Sequence, residues 1–285
     1  SISRYYEFPP GYKNSMFCGV TDEEPEMRKM GVVTAAALDF LDEVARKDEQ
    51  WCCFVSMQEP HDPFVCGREA FELYDVDHIE LPPNVCGAPE SGPNIYKKAS
   101  RIWSGLTEKE HKTARTCYYA SITEIDRQFG RLIDRVRQMG QLDNTIIILT
   151  ADHGEMLGAH GLYCKNFSAF EEIYNIPLVV SGPGIPQGIV SEARVGLHDL
   201  CPTILELAGC EWTGVPDSRS FASLLRNPGG IEGYERGFAE YHGGRIMLTQ
   251  RIVWDGQWKY VFNGFDFDEL YNLYEDSYEM ENLID

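Results

Sequence analysis

Two rhythms of apolar residues run through this chain. Val33, Ala37, Phe40, Leu41 and Val44 recur at the three-and-four spacing of one helix face. Thr21-x-x-Glu24, followed by Pro25, reads as the start of that helix. The same spacing returns in Ile122, Ile125, Phe129, Leu132 and Val136, inside a long helix expected over residues 107–139. The second rhythm is a set of short continuous runs rich in β-branched residues. Residues 51–57, 145–151 and 176–180 read as short buried strands, the last closed by Gly182-Pro183-Gly184. His198-Asp199-Leu200 opens a further helix. Residues 81–105, rich in Pro, Gly and Ser, read as a long surface loop.

Strand and helix thus alternate over residues 1–230, which predicts an α/β domain whose mainly parallel sheet is covered by helices on both faces. Residues 231–285 differ. Segments 238–241, 246–254 and 258–262 read as short strands separated by turn residues, followed by a short terminal helix. They predict a small C-terminal antiparallel subdomain.

Composition narrows the picture. With 285 residues, 43% of them hydrophobic, the chain can bury a sizeable core. No apolar run approaches the ~18 residues that span a bilayer. A net charge of −20 argues against nucleic acid and against an anionic membrane surface as partners. The eight carboxylates from Asp266 to Asp285, with no Lys or Arg after Lys259, read as a solvated acidic face. Nine cysteines, odd in number and without Cys-x-x-Cys spacing, indicate neither a zinc knuckle nor a complete disulfide framework. Cys52 and Cys53 are expected as buried free thiols, and a reducing, cytoplasmic compartment is the expectation that follows. Ser1 is no initiator Met and no signal-peptide layout follows it, so the chain is expected to begin inside a longer protein.

The chemistry gathers in Thr150-Ala151-Asp152-His153-Gly154-Glu155-Met156-Leu157-Gly158-Ala159-His160-Gly161. An Asp-His pair stands where the strand at 145–151 ends, at the carboxyl edge where open α/β sheets bind ligands. An Asp there also caps the next helix in many proteins. A carboxylate beside an imidazole suits a divalent metal. Lys165 follows His160 by five residues and brings a cation. Metal, histidine and lysine together suit an anionic ester.

That string closely resembles the second metal-binding motif of the sulfatase family, within the alkaline phosphatase superfamily. Pro60-His61-Asp62-Pro63 is similar to the family's Pro-His-x-Pro element. The run from Asp152 through Lys165 to Pro177 and Gly182-Pro183-Gly184, then His198-Asp199-Leu200-Cys201-Pro202-Thr203, matches its central part in order and spacing. Trp258-Lys259-Tyr260 and Glu269-Leu270-Tyr271-Asn272-Leu273 resemble its closing strand and tail. One element departs. The Cys/Ser-x-Pro-x-Arg string whose first residue becomes the formylglycine nucleophile, and the Asp pair before it, do not occur here. A missing N-terminal segment of the same protein is therefore an expected partner, and residues 1–285 alone are expected to be inactive.

The resemblance implies a hydrolase that cleaves sulfate esters with a metal-anchored formylglycine located outside this segment. It implies Asp152 and His153 as metal ligands, with Ca²⁺ the expected ion and Mn²⁺ or Zn²⁺ open because of the imidazole. Lys165 is expected on the sulfate oxygens, and His61 on the sulfate or the leaving alcohol. His160 is expected either to contact substrate or to support the site. His198 and Asp199 read as structural, and Glu155 as a residue of the next helix's first turn. Arg251, Trp254 and Tyr241 are weak candidates for substrate contact. Two other readings stay open: a phosphonate monoester or phosphodiester hydrolase of the same superfamily, and a truncated, non-catalytic relative that binds an anionic glycan. A small-molecule or glycan sulfate ester is the expected substrate partner, and the oligomeric state is unassigned.

Overall fold

Thr107, itself in an extended conformation after a run of turns, caps the longest helix among the described residues. Its hydroxyl accepts the Glu110 amide while the Glu110 carboxylate accepts the Thr107 amide, so two otherwise orphaned donors are satisfied. A computed structural model of the chain describes residues 2–7, 16–47, 49–85, 87, 90–165, 167–214, 217–244 and 247–285. In chain order its strands and helices are β1 (Ile2–Glu7), β2 (Met16–Thr21), α1 (Lys29–Val44), β3 (Phe64–Gly67), α2 (Arg68–Phe71), α3 (Asn94–Ser100) and α4 (Glu108–Gln138). Then come β4 (Ile147–Thr150), α5 (Glu171–Tyr174), β5 (Leu178–Ser181), α6 (Leu200–Leu207) and α7 (Ala222–Arg226). Four strands follow: β6 (Arg236–Tyr241), β7 (Gln250–Asp255), β8 (Trp258–Asn263) and β9 (Glu269–Asn272).

These elements fall into two compact units that interleave along the chain. The first holds residues 1–87, 99–145 and 155–164; the second holds 88–98, 146–154 and 165–285. In the first unit, β2 pairs antiparallel with β1 and parallel with β3, in the register Val20 to Cys66. Register places Cys18, Val20, Phe64 and Cys66 in one core with Ala114, Cys117 and Ala120 of α4. Phe17, Trp103 and Tyr163 join it, with ring centroids 4.8–5.4 Å apart. Each fully buried side chain of this kind contributes about 1.5–3 kcal/mol.

Helix α4 buries an unexpected face. Ile125 and Val136 are buried, but Ile122 is 43% exposed, and Thr113, Thr116, Glu124 and Gln128 go inside instead. Their polar atoms are accounted for. Thr113 and Thr116 donate their hydroxyls to the carbonyls of Lys109 and Lys112. Glu124 takes both oxygens to Arg28 at 2.7–2.8 Å and also accepts the Gly67 amide, which ties α4 to the end of β3. A buried ion pair of this kind is held by geometry, since the partners are too costly to bury alone.

In the second unit, β4 pairs antiparallel with β5, and β6-β7-β8-β9 form an antiparallel sheet in that order. Its inward face carries Ile252, Trp254, Lys259, Val261 and Tyr271. Ile246, the expected first residue of β7, lies outside the described residues.

Several expectations are corrected. Thr21 closes β2 and binds the Glu23 amide, and a 3-10 turn at Pro25–Met27 intervenes before α1. Residues 51–57 make no strand pairing among the described residues; Cys52 is exposed and Cys53 half-buried, because alternate side chains face outward. Val179 of β5 is likewise exposed. The loop at 81–105 contains α3. After β8 the chain forms a fourth strand, β9, and then turns, in place of a terminal helix. Among the described residues, no helix is long and apolar enough to cross a membrane.

Candidate active site

The Asp152-His153 pair sits two residues past β4, in the second unit. Gly154 then approaches the backbone of residues 172–173 so closely that its amide reaches the Ile173 carbonyl at 2.8 Å. A Cβ at 154 would stand 1.9 Å from the Glu172 carbonyl oxygen, so only glycine lets the chain turn here. That turn presents Asp152 outward, with its side chain 88% exposed. His153 Nδ1 lies 2.8 Å from the Gly154 carbonyl, which can only accept, so this nitrogen carries a proton. In the neutral ring, Nε2 is then the lone-pair nitrogen, 3.8 Å from Asp152 Oδ2.

That spacing fits two donors sharing one cation at about 2.0–2.4 Å each. The orientation of His153 by a backbone carbonyl is what metal-binding imidazoles require. Among the described residues, no group of three or more His, Cys, Asp or Glu gathers for a metal. Asp152 and His153 thus fit part of a ligand set. Lys165 belongs to the same unit and is half-buried.

The first unit holds the two other predicted residues. His61 donates its backbone amide to the Gln58 carbonyl in a turn. Its Nδ1 lies 2.9 Å from the Asp62 carbonyl and 3.1 Å from Asp62 Oδ1, with that carboxylate almost wholly buried. The ring is therefore oriented by Asp62 and protonated at Nδ1, which makes Nε2 the exchangeable position. His160 is only 1% exposed. Its Nε2 faces Asn84 Nδ2 at 3.3 Å and its amide donates to the Asn84 carbonyl at 2.6 Å. Of the two roles expected for His160, burial favours support.

Glu155 departs from its expected place. No α-helix starts at Gly154; the chain forms an irregular loop with a short 3-10 turn at Ala159–Gly161, and Glu155 Oε1 accepts the amides of Leu157 at 3.2 Å and Cys164 at 2.6 Å. Trp254 also departs: its indole donates to Glu171 inside the second unit's core. Asp199 does what a structural residue does, accepting the Gly196 and Arg219 amides.

The sulfatase family model matches residues 3–210. The chain belongs to the sulfatase family. It is 34% identical over 241 residues to choline-sulfatase of Rhizobium meliloti, covering 82% of this chain and 46% of that one. It is 32% identical over 198 residues to arylsulfatase K of Danio rerio, covering 67% of this chain and 38% of that one. Among solved structures it is similar to the phosphonate monoester hydrolase of Silicibacter pomeroyi, with a TM-score of 0.80 at 24% identity, covering 97% of this chain and 60% of that one. That likeness concerns the fold, the α/β arrangement of the alkaline phosphatase type with a C-terminal antiparallel sheet. The chain spans about half or less of the length of these curated relatives. Sulfatase membership implies, in general terms, a metal-dependent enzyme with a formylglycine nucleophile.

Asn84 and Glu155 escaped the sequence reading in different ways. Glu155 lies inside the motif, but its glycine-flanked setting looks like a helix start. Asn84 follows Pro82-Pro83 in a loop, with no signal that it would meet His160.

Proposed function

We propose that this sulfatase chain serves a hydrolase that cleaves sulfate esters, with the nucleophile contributed from outside residues 1–285. The observation that carries the reading is the Asp152-His153 pair at the end of β4, with donor atoms 3.8 Å apart and His153 oriented by its own backbone. Asp152 and His153 would hold a divalent cation there, Ca²⁺ by family habit, which would supply Lewis-acid stabilisation of charge on the ester oxygens. Lys165 supplies a fixed positive charge for the transferring sulfuryl group. His61, tethered at Nδ1 by Asp62, offers Nε2 to protonate the leaving alcohol. His160, buried against Asn84, is given a supporting role and no substrate contact.

A second reading, hydrolysis of phosphonate monoesters, is favoured by the likeness to the phosphonate monoester hydrolase fold and by the imidazole at position 153. Turnover of matched 4-nitrophenyl sulfate and 4-nitrophenyl phenylphosphonate by the full-length protein separates the two. The sulfate is expected to be the better substrate in kcat/KM, and Lys165→Ala is expected to lower that value about 10²–10³-fold. A phosphonate preference of several orders of magnitude would overturn the sulfatase assignment.

A further inference from the structure

The ten residues 155–164 hold an unusual density of left-handed backbone. Leu157, Gly158, His160, Gly161 and Cys164 all have positive φ, at 44°, 91°, 53°, 68° and 64°. Two are glycines, for which this costs little, but Leu157, His160 and Cys164 carry side chains that rarely adopt it. Elsewhere among the described residues, only Glu279 shares that condition. Strain of this kind persists only where the surroundings over-determine it, and it concentrates at functional loops.

Each of the three strained residues is anchored at its own amide. Leu157 and Cys164 both donate to Glu155 Oε1, at 3.2 and 2.6 Å. His160 donates to the Asn84 carbonyl at 2.6 Å. Charge makes Glu155 the stronger anchor, since bonds to a carboxylate exceed those to a neutral acceptor. Burial, and after it the nearby Glu155 charge, pushes the Tyr118 hydroxyl up to about 12. One carboxylate oxygen therefore gathers both ends of the loop. The further end is Cys164, whose backbone sets the direction in which the chain leaves into Lys165.

We propose that Glu155 is a positioning residue: by binding the Leu157 and Cys164 amides it locks the strained loop 155–164 and thereby fixes the cation at Lys165. The inference rests on the role given to Lys165 under the proposed function. A charged group misplaced by about 1 Å costs on the order of 10²-fold in rate. Glu155 touches neither substrate nor metal in this account; its effect passes through the backbone.

The test is a double-mutant cycle on the full-length enzyme with 4-nitrophenyl sulfate, joined to amide hydrogen exchange across 155–165. Glu155→Ala is expected to lower kcat about 10²-fold with KM changed less than about threefold, and to release the Leu157 and Cys164 amides. Glu155→Gln, which keeps an acceptor oxygen in place, is expected to stay within about fivefold of the parent. In a Lys165→Ala background, Glu155→Ala is expected to cost less than about threefold more. Fully multiplicative losses would overturn the proposal, because Glu155 would then act independently of Lys165. A folded Glu155→Ala enzyme with unchanged kcat would overturn it as well. Should Glu155→Ala not fold, Glu155→Asp takes its place. The shorter arm cannot hold both amides and is expected to lose about tenfold in kcat, so an unchanged value again overturns the proposal. If the parent turns over no sulfate ester, the functional reading fails. The exchange arm still decides the clamp: amides equally protected in parent and Glu155→Asp would sink it.

Discussion

The two units bury their interiors by opposite means. In the first, the centre is aromatic and thiol-lined: Phe17, Phe64, Trp103 and Tyr163 meet Cys18, Cys66, Cys117 and Cys164, and the polar groups of α4 lie at its margin. In the second, the centre is ionic. Lys259 is fully buried, with its Nζ 2.9 Å from Glu171 and 2.7 Å from Glu279. Beside it, Glu269 accepts hydrogen bonds from Tyr96, Tyr271 and Asn263, and Gln250 donates to Tyr96 and Asn263. An apolar core tolerates modest changes in shape, whereas an ionic one fails when a single partner is removed. The difference also sets what each unit senses: volume in one case, protons in the other.

The sharpest way to break that contrast is Lys259→Met. It strands Glu279 without its cation and is expected to cost about 3–5 kcal/mol, read from denaturant unfolding. Adding Glu279→Gln, which retains an acceptor for the Glu171 amide, should recover at least about half of that loss. If Lys259→Met alone is neutral, the ionic centre is not what holds the second unit. Phe64→Leu probes the other side and should cost about 1 kcal/mol, since a smaller apolar side chain repacks.

A change of pH should affect the stability of the two units differently. Burial pushes the Glu279 carboxyl up to about 7 from its ordinary 4.5, against the opposing pull of Lys259. Burial raises Glu269 as well. The folded state then binds these protons more tightly than the unfolded chain. Stability from this source is complete below about 4.5 and is lost as pH climbs towards about 7. Hydrogen exchange in residues 258–272, corrected for intrinsic rate, should therefore accelerate between pH 5 and 7.5 relative to residues 108–138. Equal pH responses in both segments would remove the distinction.

The smallest effect is chemical. Cys66 and Cys117 lie side by side in the first core; contact with Cys117 and burial raise the Cys66 thiol far above the ordinary range, while contact with Cys18 and burial raise Cys117 against an opposing pull from Cys66. Alkylation of the native protein at pH 8 should label the exposed Cys201 and Cys210 and spare Cys66 and Cys117.

Much of this could be read from residue order, and the failures share a cause. The long helix is legible because Thr107 and Glu110 form a local cap and the apolar spacing from Ile122 to Val136 lasts for about four turns. Asp152-His153 is legible because strand and turn are adjacent in sequence. What α4 buries is not legible: Glu124 looks like a surface residue until Arg28, 96 positions away, folds onto it. The acidic tail misleads in the same way, since Glu269 and Glu279 belong to the interior of the second unit and are not solvated. Segment 51–57 has the composition of a buried strand, yet a strand needs a neighbour to pair with, and composition says nothing about its neighbour. Glu155 was hidden because its partners are amides, which every residue carries.

The spacing of the buried triad has a consequence for biosynthesis. Glu171 precedes Glu279 by 108 residues, and Lys259 precedes it by 20. At about 5–20 residues per second of translation, Glu171 waits roughly 5–20 s on the ribosome before its partner emerges. For the first 88 residues of that interval Lys259 is itself unmade, and for the last 20 it lacks the Glu279 half of its counter-charge. The second unit therefore cannot seal its ionic centre until Glu279 emerges, whereas the residues of the first unit, through Cys164, have been translated well before.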